Sequence, residues 1–227
     1  MNIACWNCSG ALSEKIDLLL STGVDVAIIP ECSDRDIEEM RTREMSAFWV
    51  GDVRYKGLGV IARNGWALNP LFANSWRFRG IAAFEVDGPV KFTLLAVWAV
   101  KTYGGYVKQL CEAIVAHSEL FKNGPVVMAG DFNIERLSQN LSRLGQELSD
   151  KGLESAYHYS AQITKNEVEP PTYRHRPKKN KPFHIDYVFL PKIWLQHIVK
   201  VTIDDGEEWK GASDHYPVIV RLRDFGA

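Results

Sequence analysis

Short apolar runs of strand length, set off by Gly, Asn and Pro and interleaved with helical patterns, constrain this chain more than any other feature. Val24–Ile29 is β-branched and apolar, as a strand buried on both faces should be. Asn2–Asn7, Ser46–Gly51, Leu58–Arg63, Ile81–Val86, Lys91–Val100 and Val126–Ala129 have the same character, and Phe183–Leu190, Ile198–Ile203 and Pro217–Leu222 close the chain. Helical spacing is found in Leu12–Leu20, where Gly23 is a plausible stop, in Ser33–Met40, in Gly104–Phe121 and in Leu137–Asp150. Tyr157–Arg176 shows neither period and reads as loop. About ten strands with three or four helices predict α and β layers around a sheet or sheets, and the many hairpin-like neighbours favour mixed or antiparallel pairing. No repeat and no Gly/Ser linker divides the sequence, so a single domain over residues 1–227 is expected.

With 227 residues and 46% hydrophobic content the chain can bury a substantial core, which excludes disorder. The longest apolar runs, Val24–Pro30 and Leu94–Val100, are far too short to span a bilayer as helices. Strand-like residues begin at Asn2 with no basic and apolar leader before them, so a cytoplasmic protein without stable membrane association is expected. Lys and Arg (27) nearly balance Asp and Glu (28), so net charge alone does not mark a nucleic-acid binder. Charge is nevertheless uneven: Arg174, Arg176, Lys178, Lys179 and Lys181 crowd one acid-free stretch, and Asp204, Asp205, Glu207 and Glu208 follow downstream. Cys5 and Cys8 have the spacing of a metal knuckle, but no second ligand pair accompanies them, and reduced thiols are expected.

Polar residues that end or interrupt apolar strands are where ligand sites form. The relevant segments are Trp6-Asn7-Cys8-Ser9-Gly10, Ile29-Pro30-Glu31, Gly130-Asp131-Phe132-Asn133, His184-Ile185-Asp186-Tyr187 and Ser213-Asp214-His215-Tyr216-Pro217. Their carboxylates and carboxamides suit a hard cation such as Mg2+ or Mn2+. Singly, each has an ordinary reading. Glu31 could be an acid at a helix N-terminus, the 130–133 segment a turn, and Ser213-Asp214-His215 a strand cap. Asp186 is harder to dismiss, because a carboxylate flanked by Ile185, Tyr187, Val188 and Phe189 needs a partner when buried.

Together and in this order the segments resemble the endonuclease/exonuclease/phosphatase superfamily, the group of DNase I and exonuclease III-like enzymes. The most specific parts are GDFN at 130–133, IDY at 185–187 and SDHYP at 213–217, with Gly23-Val24-Asp25-Val26 running to Glu31. The resemblance spans Asn2 to Leu222. It implies an α/β, DNase I-like four-layer sandwich of two mixed β-sheets face to face with helices on both outer sides. It further implies a divalent-metal-dependent phosphodiesterase using Mg2+, with Mn2+ as the alternative. Glu31 would anchor the metal, with Asn7 and Asp214 contributing directly or through water. Asp131 would orient and deprotonate the attacking water, and Asn133 would hold Asp131 or the phosphate. Asp186 would pair with His215, which would hydrogen-bond a phosphate oxygen.

The family often places a His or Tyr at the end of the strand before the long helix, where this chain has Trp98; Lys101, Tyr103 and Tyr106 are nearby substitutes. The chain is also short for a repair endonuclease of the family, with little room for long DNA-gripping loops. Tyr173, Arg174, Arg176, Lys178 and Lys179 are the candidate substrate contacts, cations for backbone phosphates and a ring for stacking; the alternative is a solvated loop balanced by the later acids. A nuclease acting on DNA or RNA is the leading expectation. A phosphatase of a small phosphorylated molecule or lipid headgroup, such as an inositol polyphosphate, is the alternative, and an inactive binding module the lesser one.

Overall fold

A computed structural model describes residues 1–71, 80–101, 104–135, 139–162, 169–174, 182–223 and 225. The strands are β1 (Asn2–Cys5), β2 (Val26–Cys32), β3 (Ser46–Val53), β4 (Lys56–Ala62), β5 (Ala67–Pro70), β6 (Ile81–Asp87), β7 (Phe92–Trp98) and β8 (Val126–Asp131), continuing with β9 (Leu153–Ser155), β10 (Tyr173–Arg174), β11 (Pro182–Phe183), β12 (Asp186–Pro191), β13 (Ile198–Ile203) and β14 (Val218–Leu222). The α-helices are α1 (Ile16–Ser21), α2 (Asp34–Thr42), α3 (Gly105–Ala116), α4 (Gln139–Asp150), α5 (Ala156–Ala161) and α6 (Glu207–Ala212).

Two six-stranded sheets carry the fold, ordered β13-β14-β1-β2-β4-β3 and β5-β6-β7-β8-β12-β9. Each contains one parallel pair at its centre, β1 with β2 and β7 with β8, and antiparallel pairs elsewhere. A parallel pair needs a crossover. Here α1 makes the one between β1 and β2, and α3 the one between β7 and β8.

Period-two alternation sorts the side chains into layers. Ile3, Cys5, Val26, Ile28, Val218 and Val220 face Leu94, Ala96, Val127, Ala129, Val188 and Leu190 in the core between the sheets. Their neighbours Ala4, Ala27, Ile29 and Ile61 face the other way and pack with Ile16 and Leu19 of α1 and Ile37 and Met40 of α2. On the opposite outside, Leu95, Val97, Val126 and Met128 meet Leu110 and Ile114 of α3 and Leu144 and Leu148 of α4. Three apolar seams therefore separate four layers, as the resemblance implied.

Several local expectations are corrected. Tyr157–Arg176 is not wholly loop, since α5 forms at its start and β10 near its end. The acidic cluster after Ile203 includes Glu207 and Glu208 in the first turn of α6, where the helix dipole favours acids. Leu12–Leu20 divides into a 3-10 turn at Leu12–Glu14 and the short α1. All four cysteines are free and buried. Among the described residues no helix is long and apolar enough to cross a membrane.

Candidate active site

The two parallel pairs end at one rim of the sandwich, and the chemistry-bearing residues follow from that. Asn7 lies two residues past the end of β1, Glu31 is the second-last residue of β2, and Trp98 and Asp131 end β7 and β8. Antiparallel partners bring in the rest: Asp186, which opens β12, stands opposite Asp131, and His215 precedes β14, the partner of β1. Six chain segments far apart in sequence thus converge where open α/β sheets place ligands.

Local geometry explains the residue types. Gly130 has φ 141, and a Cβ there would lie 1.9 Å from the Val97 carbonyl oxygen, so the close β7–β8 approach admits only glycine. Asn133 is left-handed at φ 53; its backbone N–H donates to Asp131 Oδ1 at 2.9 Å and its side-chain amide to the Ala99 carbonyl at 2.9 Å. Glu31 sits at φ 65, in a bulge where β2 slips against β4 between Pro30 and Cys32. The bulge turns its carboxylate out of the ladder. Glu31 is not an N-terminal acid of α2, because Ser33 and Asp36 cap that helix as a reciprocal box.

At the centre Asn7 donates its amide to Asp131 Oδ2 at 3.0 Å, and its own oxygen accepts from the Ser9 N–H. Asp186 Oδ2 lies 2.9 Å from His215 Nδ1. Asp186 is fully buried, His215 and Asp131 nearly so, and Asp186 Oδ1 has no hydrogen-bond partner among the described residues. Burial, reinforced by the Asp186 charge, raises the Asp131 carboxyl to about 7, against the opposing pull of His215 and the Asn7 hydrogen bond. Burial alone would lower His215. The Asp186 charge and hydrogen bond overcome it and raise the imidazole to about 9.

One ligating atom from each of Asp131, Asp186 and His215 lies within 4.8 Å of the others, close enough for a metal ion to be shared. None of the three sequence-derived metal candidates is in that triplet. Glu31 is partly exposed and faces Lys56, whose ammonium is 2.9 Å away; Asn7 is buried; Asp214 is half-buried beside Ser213. A chemical argument separates the two sets. A charged His215 repels a dication, whereas Glu31, the Asn7 oxygen and Asp214 offer only oxygen donors, the kind a hard cation takes.

Tyr173 and Arg174 do reach the site. The Tyr173 ring lies 4.6 Å from the His215 ring, the Arg174 N–H donates to the Asp214 carbonyl at 2.8 Å, and the Arg174 guanidinium sits 4.9 Å over Tyr216. Arg176, Lys178, Lys179 and Tyr103 lie outside the described residues. Tyr106, Asn133, Tyr173 and Phe183 line a cleft of about 430 Å3 beside the centre, whereas Lys101 is exposed. Trp98 is in register with Asp131 and packs its half-buried ring against the inter-sheet core.

Three further residues support the site. Thr172 Oγ1 accepts from the backbone N–H groups of Ile185 and Asp186 at 3.0 and 3.1 Å. Ser213 Oγ donates to the Asn7 carbonyl at 2.7 Å and accepts from the His215 N–H at 3.0 Å. Lys15 donates to the carbonyls of Cys8 and Ala212, tying together the loops that carry Asn7 and Asp214. Ser213 was within reach of motif reading. Thr172 and Lys15 gave no sequence signal, because their partners are backbone groups, which carry no residue pattern.

The model of the Endonuclease/Exonuclease/phosphatase family matches residues 4–215, a span that includes every one of these side chains. The chain belongs to that family. No curated protein matches it. Solved structures from the same fold group are similar over nearly their full length. The 3′ phosphatase NExo from Neisseria, bound to a product DNA hairpin, shares 17% identity at TM-score 0.72, covering 98% of this chain and 99% of that one. The endonuclease domain of TRAS1, a telomere-specific non-LTR retrotransposon, shares 16% at TM-score 0.73, covering 99% of both. An AP endonuclease from Archaeoglobus fulgidus shares 14% at TM-score 0.71, covering 98% of this chain and 99% of that one. At these identities the likeness establishes the DNase I-like fold.

Proposed function

We propose that residues 1–227 act as one catalytic domain, a divalent-metal-dependent phosphodiesterase that hydrolyses a nucleic acid. One observation carries this reading: Asp131 and His215 lie side by side with opposite protonation needs already met. A carboxyl at about 7 is poised to take a proton from water near neutrality, while an imidazole at about 9 enters the reaction as a cation. Asn7 and the Asn133 N–H hold the Asp131 carboxylate from two sides, orienting it toward an attacking water. Asp186 fixes His215 through Nδ1, which leaves Nε2 to donate to a non-bridging phosphate oxygen. Glu31, Asn7 and Asp214 would hold Mg2+ or Mn2+, which supplies charge neutralisation on the phosphoryl oxygens when bound. Arg174 and Tyr173 stand where the flanking backbone and a base would run, and Arg176, Lys178 and Lys179 would extend that contact.

The DNA hairpin bound by the Neisseria 3′ phosphatase supports a nucleic acid as substrate and also supports a second reading, removal of a terminal phosphate. The cleft between Tyr106 and Phe183 favours it, being sized for one group rather than a duplex. A hydrolysis panel with about 5 mM Mg2+ or EDTA tests both. It covers single- and double-stranded DNA, RNA, an abasic duplex, 3′-phosphorylated DNA and inositol polyphosphates, with Asp131→Asn as control. Metal-dependent cutting absent from the variant supports the nuclease. Phosphate release from 3′-phosphorylated DNA alone supports the second reading, and release from inositol polyphosphates alone overturns both.

A further inference from the structure

Trp98 ends β7 in register with Asp131, and a cation from the other sheet stands against its ring. Lys56 opens β4, the antiparallel partner of β2. The bulge that turns Glu31 outward also places it beside Lys56, whose ammonium lies 2.9 Å from Glu31 Oε2. The same ammonium stands 5.6 Å from the centroid of the Trp98 ring, on the other sheet. Lys56 therefore bridges the cleft rim, with one contact to the carboxylate assigned to the cation and one to the aromatic face next to Asp131.

We propose that Lys56 is the counter-cation of Glu31 in the metal-free chain, displaced by an arriving divalent cation and then turned, along the Trp98 face, to a phosphate oxygen of the substrate. This rests on the function proposed above. Electrostatics favours an exchange of this kind: a dication and an ammonium on one carboxylate repel each other, and without a cation the Glu31 carboxylate would stand uncompensated. The residue type fits the task. Lysine is a hydrated point charge on a flexible stem, and its side chain here is 43% exposed, so it can leave one partner for another. The Trp98 ring gives that stem a polarised surface to rest on and keeps the charge beside Asp131, where the phosphate would sit.

The test is calorimetric titration of Mn2+ into the full chain stripped with EDTA, at pH 7, for wild type, Lys56→Met, Lys56→Arg, Glu31→Gln and the Glu31→Gln/Lys56→Met pair. Removing the competing ammonium should tighten Mn2+ binding roughly threefold, the scale of a partly exposed ion pair. Lys56→Arg should bind no more tightly than wild type, and in the Glu31→Gln background the methionine should have no effect. On the nucleic acid found by the panel, Lys56→Met should raise KM with kcat changed much less. A purely structural lysine would leave Mn2+ affinity unchanged or weaken it, and either result overturns the proposal while wild-type binding that Glu31→Gln removes keeps the metal site standing. Wild-type chain that binds no Mn2+ through Glu31 would instead overturn the metal assignment, and Lys56's role with it. Thermal midpoints of the variants distinguish lost affinity from lost folding.

Discussion

Burial strengthens a carboxyl's hold on its proton and weakens an imidazole's, yet at this rim both groups end above their ordinary values: burial, with the Asp186 charge added, lifts Asp131, and the Asp186 charge and hydrogen bond lift His215 against its burial. The consequence is a working window. Asp131 must be ionised and His215 protonated, so log kcat/KM should rise with pH through about 7 and fall beyond about 9, read between pH 5 and 10. A profile still climbing past pH 9 would remove the charged imidazole from the reaction. Stability in EDTA runs the other way. Both folded-state values lie above the unfolded ones, so the folded chain holds the extra protons. Asp131's contribution is lost as pH rises from about 4 through about 7, and His215's, complete below about 6.5, is lost through about 9. The thermal midpoint from these groups should therefore drift down with rising pH. The substitutions separate the roles. Asp131→Asn removes a buried charge that folding disfavours, so at pH 8 its midpoint should stay close to wild type while turnover falls at least ~100-fold. His215→Gln strands Asp186 without its cation and should cost about 3–5 kcal/mol in urea unfolding as well as activity.

At the scale of elements, legibility followed length and local pattern. The strands β2, β6, β7 and β8 declared themselves in the sequence as continuous apolar runs, because each buries both faces in a different seam. The short pieces β5, β9, β10, α5 and α6 did not, because two to six residues hold too little periodicity and are ordered by what they pack against. The same division runs through the site. Asp131, Asn133, Asp186, Asp214 and His215 sit in compact motifs, whereas Lys56, Thr172 and Lys15 act across strand pairings that no local pattern encodes. Thr172 shows what such a residue is worth. It is fully buried in the segment leading into β10, and its hydroxyl takes both N–H groups at the entry to β12, setting where Asp186 begins that strand. Thr172→Val keeps the shape and leaves two donors unsatisfied, which should cost on the order of 2–4 kcal/mol. The urea midpoint should fall with the slope unchanged. Activity should fall with it, since the Asp186–His215 pair loses its fixed register. Thr172→Ser should restore most of both.

At the scale of the molecule, the two sheets repeat one plan, with the parallel pair in the middle and antiparallel strands to either side, and they meet with both switch points on the same rim. That arrangement sends strand ends from both halves to one place, and among the described residues it gathers Glu31, Asp131, Asp186 and Asp214 there against His215, Lys56 and Arg174. A fold that concentrates acids this way is held back by their repulsion, which a dication bound there would relieve. Binding to the folded chain alone stabilises by ~2.7 kcal/mol when the free cation is at 100 times its dissociation constant. For a chain of this size each kcal/mol moves the midpoint by roughly 2–4 °C. Saturating Mg2+ should therefore raise the melting temperature by about 5–10 °C over EDTA, by fluorescence or calorimetry. Glu31→Gln should abolish most of that rise while melting near wild type in EDTA, because its carboxylate is partly exposed and its ion pair with Lys56 is worth little. Should Mg2+ stabilise Glu31→Gln as much as wild type, the cation is held elsewhere, and the Asp131, Asp186 and His215 triplet becomes its seat, with His215 forced to give up its proton to admit it.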